Sequence, residues 1–139
     1  MAGIYIHIPF CTQRCSYCDF YKEISSDSKK TDVFVHTLIR EIELRKDYLG
    51  GESIETIYFG GGTPSVLNAN QFKLIFDVLH RYFTICTDAE ITIEANPDDL
   101  SEAYLDSLSP LPINRLSMGI QTFNDGHLKA LNRRHDAAQ

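Results

Sequence analysis

Hydrophobic and polar residues alternate with a period of two in four short stretches of the chain. These stretches are Gly3–Ile8, Thr56–Phe59, Glu90–Glu94 and Arg115–Ile120. A period of two sends successive side chains to opposite faces of an extended segment, so each stretch predicts a β-strand. In every predicted strand one face is apolar, mainly aliphatic but with Phe59 in the second strand, and is called the aliphatic face. The other face carries polar or aromatic groups.

Between these strands, apolar residues recur every three or four positions, which predicts amphipathic helices. The two longest cover Asp32–Leu49, with its first residue as N-cap, and Asn70–Phe83. Ser101 and Asn124 are expected to cap two shorter helices, and the polar stretch Lys22–Thr31 is expected to be a loop. Strands alternating with helices are typical of βαβ units. The pattern therefore predicts an α/β fold with a parallel sheet and about four strand-helix units.

The polar face of the predicted sheet needs an explanation, because parallel strands covered on both sides are usually apolar throughout. If helices cover the aliphatic face, the second face meets either a ligand or water. An open barrel that holds a ligand against a polar inner face is one alternative. An α+β sheet with one face in water is the other, and periodicity alone leaves both open.

Composition narrows the class of protein. The chain has 139 residues, of which 43% are hydrophobic and 23% charged, as expected for one soluble globular domain spanning 1–139. A net charge of −6 argues against a nucleic-acid partner, which would require clustered Lys and Arg. No apolar run approaches the roughly 20 residues of a membrane span, and the first residues lack the features of a signal peptide. We therefore expect a cytoplasmic protein, in which cysteines favour metal ligation or catalysis over disulfides.

Three cysteines lie close together directly after the first predicted strand. Cys11, Cys15 and Cys18 have CxxxCxxC spacing, and three such thiolates can each ligate one iron of a cubane while the fourth iron stays open. One alternative is a structural zinc site with His7 or His36 as the fourth ligand. Another is a thioredoxin-type redox pair formed by the second and third cysteines, which would leave the first unexplained.

Candidate ligand-binding residues follow the other strands. Gly60–Pro64 (GGGTP) follows the second strand, Glu94 ends the third and Gln121 ends the fourth. The carboxyl ends of parallel strands meet at one rim, where ligands bind in α/β folds. The glycines would let a ligand approach the backbone, although a tight turn without function is the alternative. The isolated Cys86 is expected to be a buried structural thiol.

Motifs spread over nearly the whole chain resemble the oxygen-independent coproporphyrinogen III oxidase family of radical SAM proteins. They are the segment from Tyr5 to Cys11 (YIHIPFC), the CxxxCxxC spacing, GGGTP, Glu94-Ala-Asn-Pro and Ser-Met-Gly-Ile-Gln121. The resemblance implies the N-terminal part of an open, parallel radical SAM partial barrel. It also implies that the sequence is an N-terminal fragment of a longer protein.

The resemblance implies roles for the residues at this rim. The three clustered cysteines would hold a [4Fe-4S] cluster, whose open iron would take the amino and carboxylate groups of S-adenosylmethionine. Reduction of the cluster would then yield a 5′-deoxyadenosyl radical. Gly61, Gly62 and Thr63 would contact the methionyl group of the cofactor, and Glu94 would contact its ribose. Gln121 and Arg133 would contact other polar parts of the cofactor, and Tyr5 would lie close to the cluster.

One position separates two branches of this family. Coproporphyrinogen dehydrogenases resemble CxxxCxxCxC, whereas here Phe20 stands at the position of the additional cysteine. A phenylalanine there resembles the haem chaperone branch, whose members bind haem and pass it to acceptor proteins. We therefore favour haem delivery, with coproporphyrinogen oxidation and a structural zinc module as alternatives. We also expect self-association through the unpaired edge of the fourth strand.

Overall fold

Strands and helices alternate along the chain in the computed structural model, which describes residues 2–25 and 27–138. The strands are β1 (Ala2–Ile8), β2 (Phe10–Cys11), β3 (Glu23–Ile24), β4 (Ile54–Gly61), β5 (Ile85–Ala95) and β6 (Arg115–Met118). The helices are α1 (Ser28–Leu44), α2 (Ala69–Tyr82), α3 (Glu102–Leu108) and α4 (Asp125–Ala130), and short 3-10 turns cover Pro64–Val66 and Pro97–Asp99.

The main sheet has the order β1-β4-β5-β6, and all its strands are parallel. Neighbours in the sheet are therefore also consecutive along the chain, apart from the small parallel pair β2-β3, which lies outside it. Right-handed crossovers between consecutive parallel strands place their helices on the same side. The α/β class, the parallel sheet and the four strand-helix units are confirmed.

The aliphatic face of the sheet forms the core. Phe59 is fully buried, and its ring meets the rings of Phe72 and Phe76 of α2 edge-on, with centroids 5.2 and 5.6 Å apart. Such packing contributes about 0.5–1.5 kcal/mol per pair beyond the area that it buries. The strand residues predicted for this face and found buried are Ile6, Ile8, Ile57, Phe59, Ile91 and Ile93.

The prediction of a buried aliphatic face is wrong for β6. Leu116 and Met118 are 40% and 49% exposed. Among the strands of the described residues, β6 pairs with β5 alone and lies at the edge of the sheet, so these side chains have a neighbouring strand on one side only. It also ends at Met118 rather than Ile120, because the chain turns at Gln121, whose φ is 67°.

The first helix begins five residues earlier than predicted. Asp27, not Asp32, is its N-cap and accepts a hydrogen bond from the backbone N–H of Lys29. The carboxylate of Asp32 instead accepts from the side-chain amide of Gln71 at 2.7 Å, which ties α1 to α2. The predicted loop Lys22–Thr31 therefore contains both β3 and the first turn of α1.

Three other helix starts follow their side-chain caps. Ser101 and Asn124 accept from the backbone N–H groups of Tyr104 and His127, as predicted. Helix α2 begins just before the predicted position, with a capping box formed by Asn68.

None of the helices in the described residues has the length and apolar character that a membrane span requires.

Candidate cofactor site at the strand ends

A cleft of about 240 Å³ opens where β4, β5 and β6 end, beside the loop that follows β2. Because parallel strands end at one rim, residues distant in sequence meet there. All predicted site residues except Tyr5 line this cleft: Cys11, Cys15, Cys18, Gly61, Gly62, Thr63, Glu94, Gln121 and Arg133.

The cysteine loop is held at its start by the small sheet β2-β3. Cys11 lies in β2 and is buried, and its carbonyl accepts from the backbone N–H of Ser25 at 2.9 Å. Cys15 and Cys18 lie on the turn that follows, joined by a backbone hydrogen bond of 3.3 Å, and are half-buried. All three carry free thiols that face one cleft.

The three thiols have different electrostatic surroundings. Burial raises the pKa of Cys11, although a hydrogen bond from the Thr63 hydroxyl at 3.3 Å opposes this shift. Partial burial of Cys18 acts in the same direction, but the Lys22 ammonium and the backbone N–H of Phe20 outweigh it and lower the pKa of this thiol. A cation beside a thiol favours the thiolate, which is the form that binds metals.

The glycine loop is shaped by two close approaches. Gly61 has a φ of 108°, which disfavours any side chain, and its N–H donates to a Glu94 carboxylate oxygen at 3.1 Å. A Cβ at Gly62 would lie 2.6 Å from the carbonyl oxygen of Phe10. The second of these glycines is therefore required by the packing of two chain segments, besides lining the cleft.

Glu94 is fixed on the polar face of the sheet. Its second carboxylate oxygen accepts from the Tyr58 hydroxyl at 2.7 Å. The ring of Tyr5 stacks on that of Tyr58 with centroids 6.1 Å apart, and its hydroxyl donates to His7 at 3.1 Å. Tyr5 therefore lies one aromatic ring away from Glu94, outside the residues that line the cleft.

Residues 130–135, called the strap, are hydrogen-bonded to the cysteine loop. The side-chain amide of Gln13 donates to the carbonyl of Asn132 at 2.8 Å, and the Asn132 amide donates to the carbonyl of Arg14 at 2.7 Å. The backbone N–H of Ser16 donates to the carbonyl of Leu131 at 3.2 Å. These bonds join segments more than 110 positions apart in sequence.

The same strap reaches the ends of β5 and β6. Arg133 donates to Cys15 Sγ at 3.4 Å and to the side-chain oxygen of Asn96 at 2.7 Å. The buried His135 donates from Nε2 to the carbonyl of Ile120 at 3.1 Å, immediately before the left-handed residue Gln121. The strap thus links both the cysteine loop and the last strand end to the cleft.

Arg134 anchors the strap through two carboxylates. Its guanidinium forms ion pairs of 2.7 and 2.6 Å with Asp98 and Asp99 in the turn after β5. Asp99 also accepts from the hydroxyl of Ser65 at 2.7 Å. Two half-buried carboxylates and one arginine therefore join the strap to the turn after β5.

Neither histidine considered as a zinc ligand lines the cleft. His36 lies on α1 and donates to the carbonyl of Asp32, and His7 donates to the carbonyl of Tyr21. Within residues 2–25 and 27–138, no three His, Cys, Asp or Glu side chains surround a common metal position. The three thiols therefore line one cleft, but their sulfur atoms are not arranged around one metal position.

The residues of the cleft nevertheless fit an iron-sulfur cluster. Thiolate is the ligand that such clusters prefer, and three thiols leave one iron open. Lys22 and Arg133 supply positive charge at the cleft, which suits the negative charge of thiolate ligands. Among the described residues, the Nε atom of Arg133 is buried without a hydrogen-bond acceptor, which leaves it a donor for a bound group.

Several residues of the site were not assigned from the sequence, among them Tyr58 and Asn96 besides Lys22, Asn132 and Arg134. Tyr58 contacts the Glu94 carboxylate, and Asn96 bonds both Arg133 and Thr63. Asn96 lies two positions beyond Glu94, so the period of two could have placed it at the same rim. Its two partners come from distant segments, and no sequence pattern indicates them.

The sequence profile of the Radical SAM superfamily matches residues 5–139. The chain belongs to this superfamily. Among solved structures, the radical SAM enzyme coproporphyrinogen III oxidase (HemN) from Escherichia coli superposes with a TM-score of 0.89 at 36% identity. The match covers 96% of this chain and 31% of that one, and it supports the partial-barrel arrangement predicted from the sequence.

Curated relatives of the chain carry two different names. The chain is 39% identical to the heme chaperone HemW of Lactococcus lactis and 40% identical to that of Bacillus subtilis, in each case over 97% of this chain. Oxygen-independent coproporphyrinogen III oxidase from E. coli is 36% identical over 96% of it. The matches cover 34%, 36% and 29% of these relatives, so the chain spans about a third of their length.

Proposed function

We propose that this radical SAM chain holds a [4Fe-4S] cluster through Cys11, Cys15 and Cys18 and binds S-adenosylmethionine beside it. The observation that carries the proposal is the single cleft that joins these cysteines to polar residues from three strand ends. When bound, the cluster would supply the electron that cleaves the cofactor. The protein's own contribution is to place and hold the reactants.

The cleft offers a distinct group for each part of the cofactor. The Glu94 carboxylate can accept ribose hydroxyls, because each of its oxygens has lone pairs beyond those used by Tyr58 and Gly61. Gly61–Thr63 would lie along the methionyl group, and Gln121 and Arg133 would bind other polar parts. Tyr5 would support this arrangement from behind Tyr58.

Within the family, we propose haem delivery to acceptor proteins. Phe20 lies at the rim of the cleft with 70% of its surface exposed, and it cannot ligate iron as the additional cysteine of the oxidase branch could. The names of the HemW relatives support the same choice. Coproporphyrinogen oxidation is the second candidate, supported by the E. coli oxidase at 36% identity. Four free thiols fit a reducing compartment such as the cytoplasm.

Anaerobic reconstitution with iron and sulfide, followed by metal analysis, tests the cluster. We expect about four irons per chain, as a cubane requires, and loss of the chromophore in Cys15→Ser. Cys86→Ser is the matched control and should keep it, because Cys86 lies in β5 and is half-buried against the core rather than at the cleft. Stoichiometric zinc in place of iron would contradict the proposal.

A haem titration beside a coproporphyrinogen turnover assay separates the two candidate functions. Haem delivery predicts a saturable change in the haem absorption spectrum without porphyrinogen turnover. Turnover without haem binding would instead establish the oxidase candidate. Phe20→Cys introduces a cysteine at the position where the oxidase branch has one. We expect it to leave haem binding unchanged, because Phe20 is not proposed as a haem contact.

A further inference from the structure

Three side chains form a hydrogen-bonded path between the sulfur atoms of Cys11 and Cys15. The Thr63 hydroxyl lies 3.3 Å from Cys11 Sγ, and Asn96 Nδ2 lies 3.3 Å from the same hydroxyl oxygen. Arg133 Nη2 lies 2.7 Å from Asn96 Oδ1, and its Nη1 lies 3.4 Å from Cys15 Sγ. The path connects residues from the cysteine loop, the glycine loop, the end of β5 and the strap.

Chemistry fixes the direction of every bond in this path. A guanidinium can only donate, so Asn96 must turn its oxygen toward Arg133. The nitrogen of the same amide then faces Thr63 and donates to its oxygen. Because the hydroxyl has a single proton and its oxygen already accepts, that proton is directed to the sulfur of Cys11.

The surroundings of Asn96 reinforce this orientation. Asn96 Nδ2 also lies 3.4 Å from the carboxylate of Asp99, an acceptor that could not face the amide oxygen favourably. Asp99 is itself held by Arg134 at 2.6 Å. Thr63 is 5% exposed, so water has little access to compete for its hydroxyl.

We propose that Asn96 is a positioning residue that turns the Thr63 hydroxyl toward Cys11 and thereby raises the reduction potential of the cluster. The inference rests on the proposed function. A hydrogen bond to a ligating sulfur stabilises the reduced cluster, which carries one more negative charge, and such bonds are among the determinants of cluster potentials. Asn96 would act through Thr63 rather than by touching the reacting atoms.

Two substitutions of Asn96 separate the loss of the amide donor from the effect of an added negative charge. Asn96→Leu removes the amide without adding charge. Asn96→Asp keeps the size and the acceptor for Arg133, but its carboxylate would also accept the Thr63 proton and turn it away from Cys11. Thr63→Val deletes the hydroxyl itself, and Thr63→Ser keeps it.

The experiment is an EPR-monitored redox titration of the reconstituted wild-type chain and these variants. We expect Asn96→Leu and Thr63→Val to lower the potential by similar amounts, on the order of 59 mV, equivalent to a tenfold change for one electron. Asn96→Asp should lower it further because of its charge. The double variant Asn96→Leu/Thr63→Val should show no additional shift, and Thr63→Ser should keep the wild-type potential.

An unchanged potential in Asn96→Leu at full iron content would overturn the inference, as would full additivity in the double variant. If both Asn96 variants fold but take up no iron, Thr63→Val decides the question. An unchanged potential in iron-loaded Thr63→Val would then overturn the inference, and a potential lower than that of Thr63→Ser would support it. A wild-type chain that forms no cluster would instead defeat the proposed function.

Discussion

At the scale of single residues, hydrogen bonds fix the carboxylate that we propose as a cofactor contact. The Glu94 carboxylate is held by the Tyr58 hydroxyl at 2.7 Å and by the backbone N–H of Gly61 at 3.1 Å. A binding group whose own position is fixed by neighbours loses little conformational freedom when the ligand binds. The bond from Gly61 also ties the glycine loop to this carboxylate.

Replacing Glu94 by Gln should weaken S-adenosylmethionine binding by roughly 1–3 kcal/mol, because a charged acceptor is lost. Isothermal titration calorimetry on the reconstituted chain measures the change. Glu55→Gln, on an exposed position of β4, is the matched control and should have no effect. Equal affinities for the Glu94 variant and the wild type would remove this carboxylate from the binding site.

Tyr104 makes the fold sensitive to alkaline pH. Burial and the nearby carboxylate of Asp99 raise its pKa above the ordinary value of 10.0, and its hydroxyl donates to the carbonyl of Leu67 at 2.9 Å. Above pH 10 the unfolded chain loses this proton while the folded chain retains it. The stabilising contribution is therefore complete below pH 10 and decreases as the pH rises beyond it.

Urea unfolding between pH 8 and about pH 11 tests this effect. The wild-type free energy of unfolding should decrease over the upper part of this range, and the decrease should be smaller in Tyr104→Phe. Tyr48→Phe, at a side chain that is 80% exposed, is the control. Parallel pH profiles for the wild type and Tyr104→Phe would show that Tyr104 does not cause the loss.

At the scale of elements, the strap of residues 130–135 determines how firmly the cysteine loop is held. Asn132 is central because its backbone has a φ of 56° and its side chain and carbonyl both bond the loop. Asparagine and glycine tolerate this left-handed conformation, whereas other residues lose roughly 1–2 kcal/mol in it. The loop position therefore depends on one residue more than 110 positions away.

Asn132→Ala should increase backbone hydrogen exchange in the cysteine loop, most clearly at the N–H of Ser16, which bonds the strap. Asn132→Gly should increase it less, because glycine keeps the left-handed backbone and loses only the side-chain bond. Asn70→Ala, at an exposed position of α2, serves as the control. If both Asn132 variants exchanged like the wild type, the strap would not hold the loop.

The elements also show what the sequence could predict. The period of two in β1, β4 and β5 predicted the extended backbone of these strands. Because parallel strands end at one rim, the same pattern placed Glu94 beside the cysteine loop and the glycine loop. The early start of α1 was missed because Asp27 and Asp32 both satisfy the pattern of an N-cap. Of the strap, only Arg133 was assigned, through the resemblance. The bonds between the strap and the cysteine loop were missed because they join distant segments, mainly through backbone carbonyls, which no residue pattern marks.

At the scale of the molecule, the sheet is asymmetric between its two edges and its two faces. Helices bury the aliphatic face of β1, β4 and β5, but Leu116 and Met118 remain 40% and 49% exposed on the edge strand β6. An edge with unpaired backbone groups and apolar side chains is a template for pairing with another chain. The polar face remains open beside it.

We therefore expect the 139-residue chain to self-associate with increasing concentration. Sedimentation velocity at several concentrations should show a rising mean mass, and Met118→Lys should suppress it, because charge on an edge strand opposes pairing. Val33→Lys, at a position of α1 that is 67% exposed, is the matched control. A wild-type chain that stays monomeric at all concentrations would contradict this expectation.

The central claim is that one cleft holds both a cluster with an open iron and S-adenosylmethionine. EPR of the reduced, reconstituted chain with and without the cofactor tests it most directly. Direct coordination at the open iron predicts a changed spectrum on addition of S-adenosylmethionine, and the change should require more cofactor in Glu94→Gln. A reduced cluster whose spectrum stays the same at saturating S-adenosylmethionine would contradict the claim.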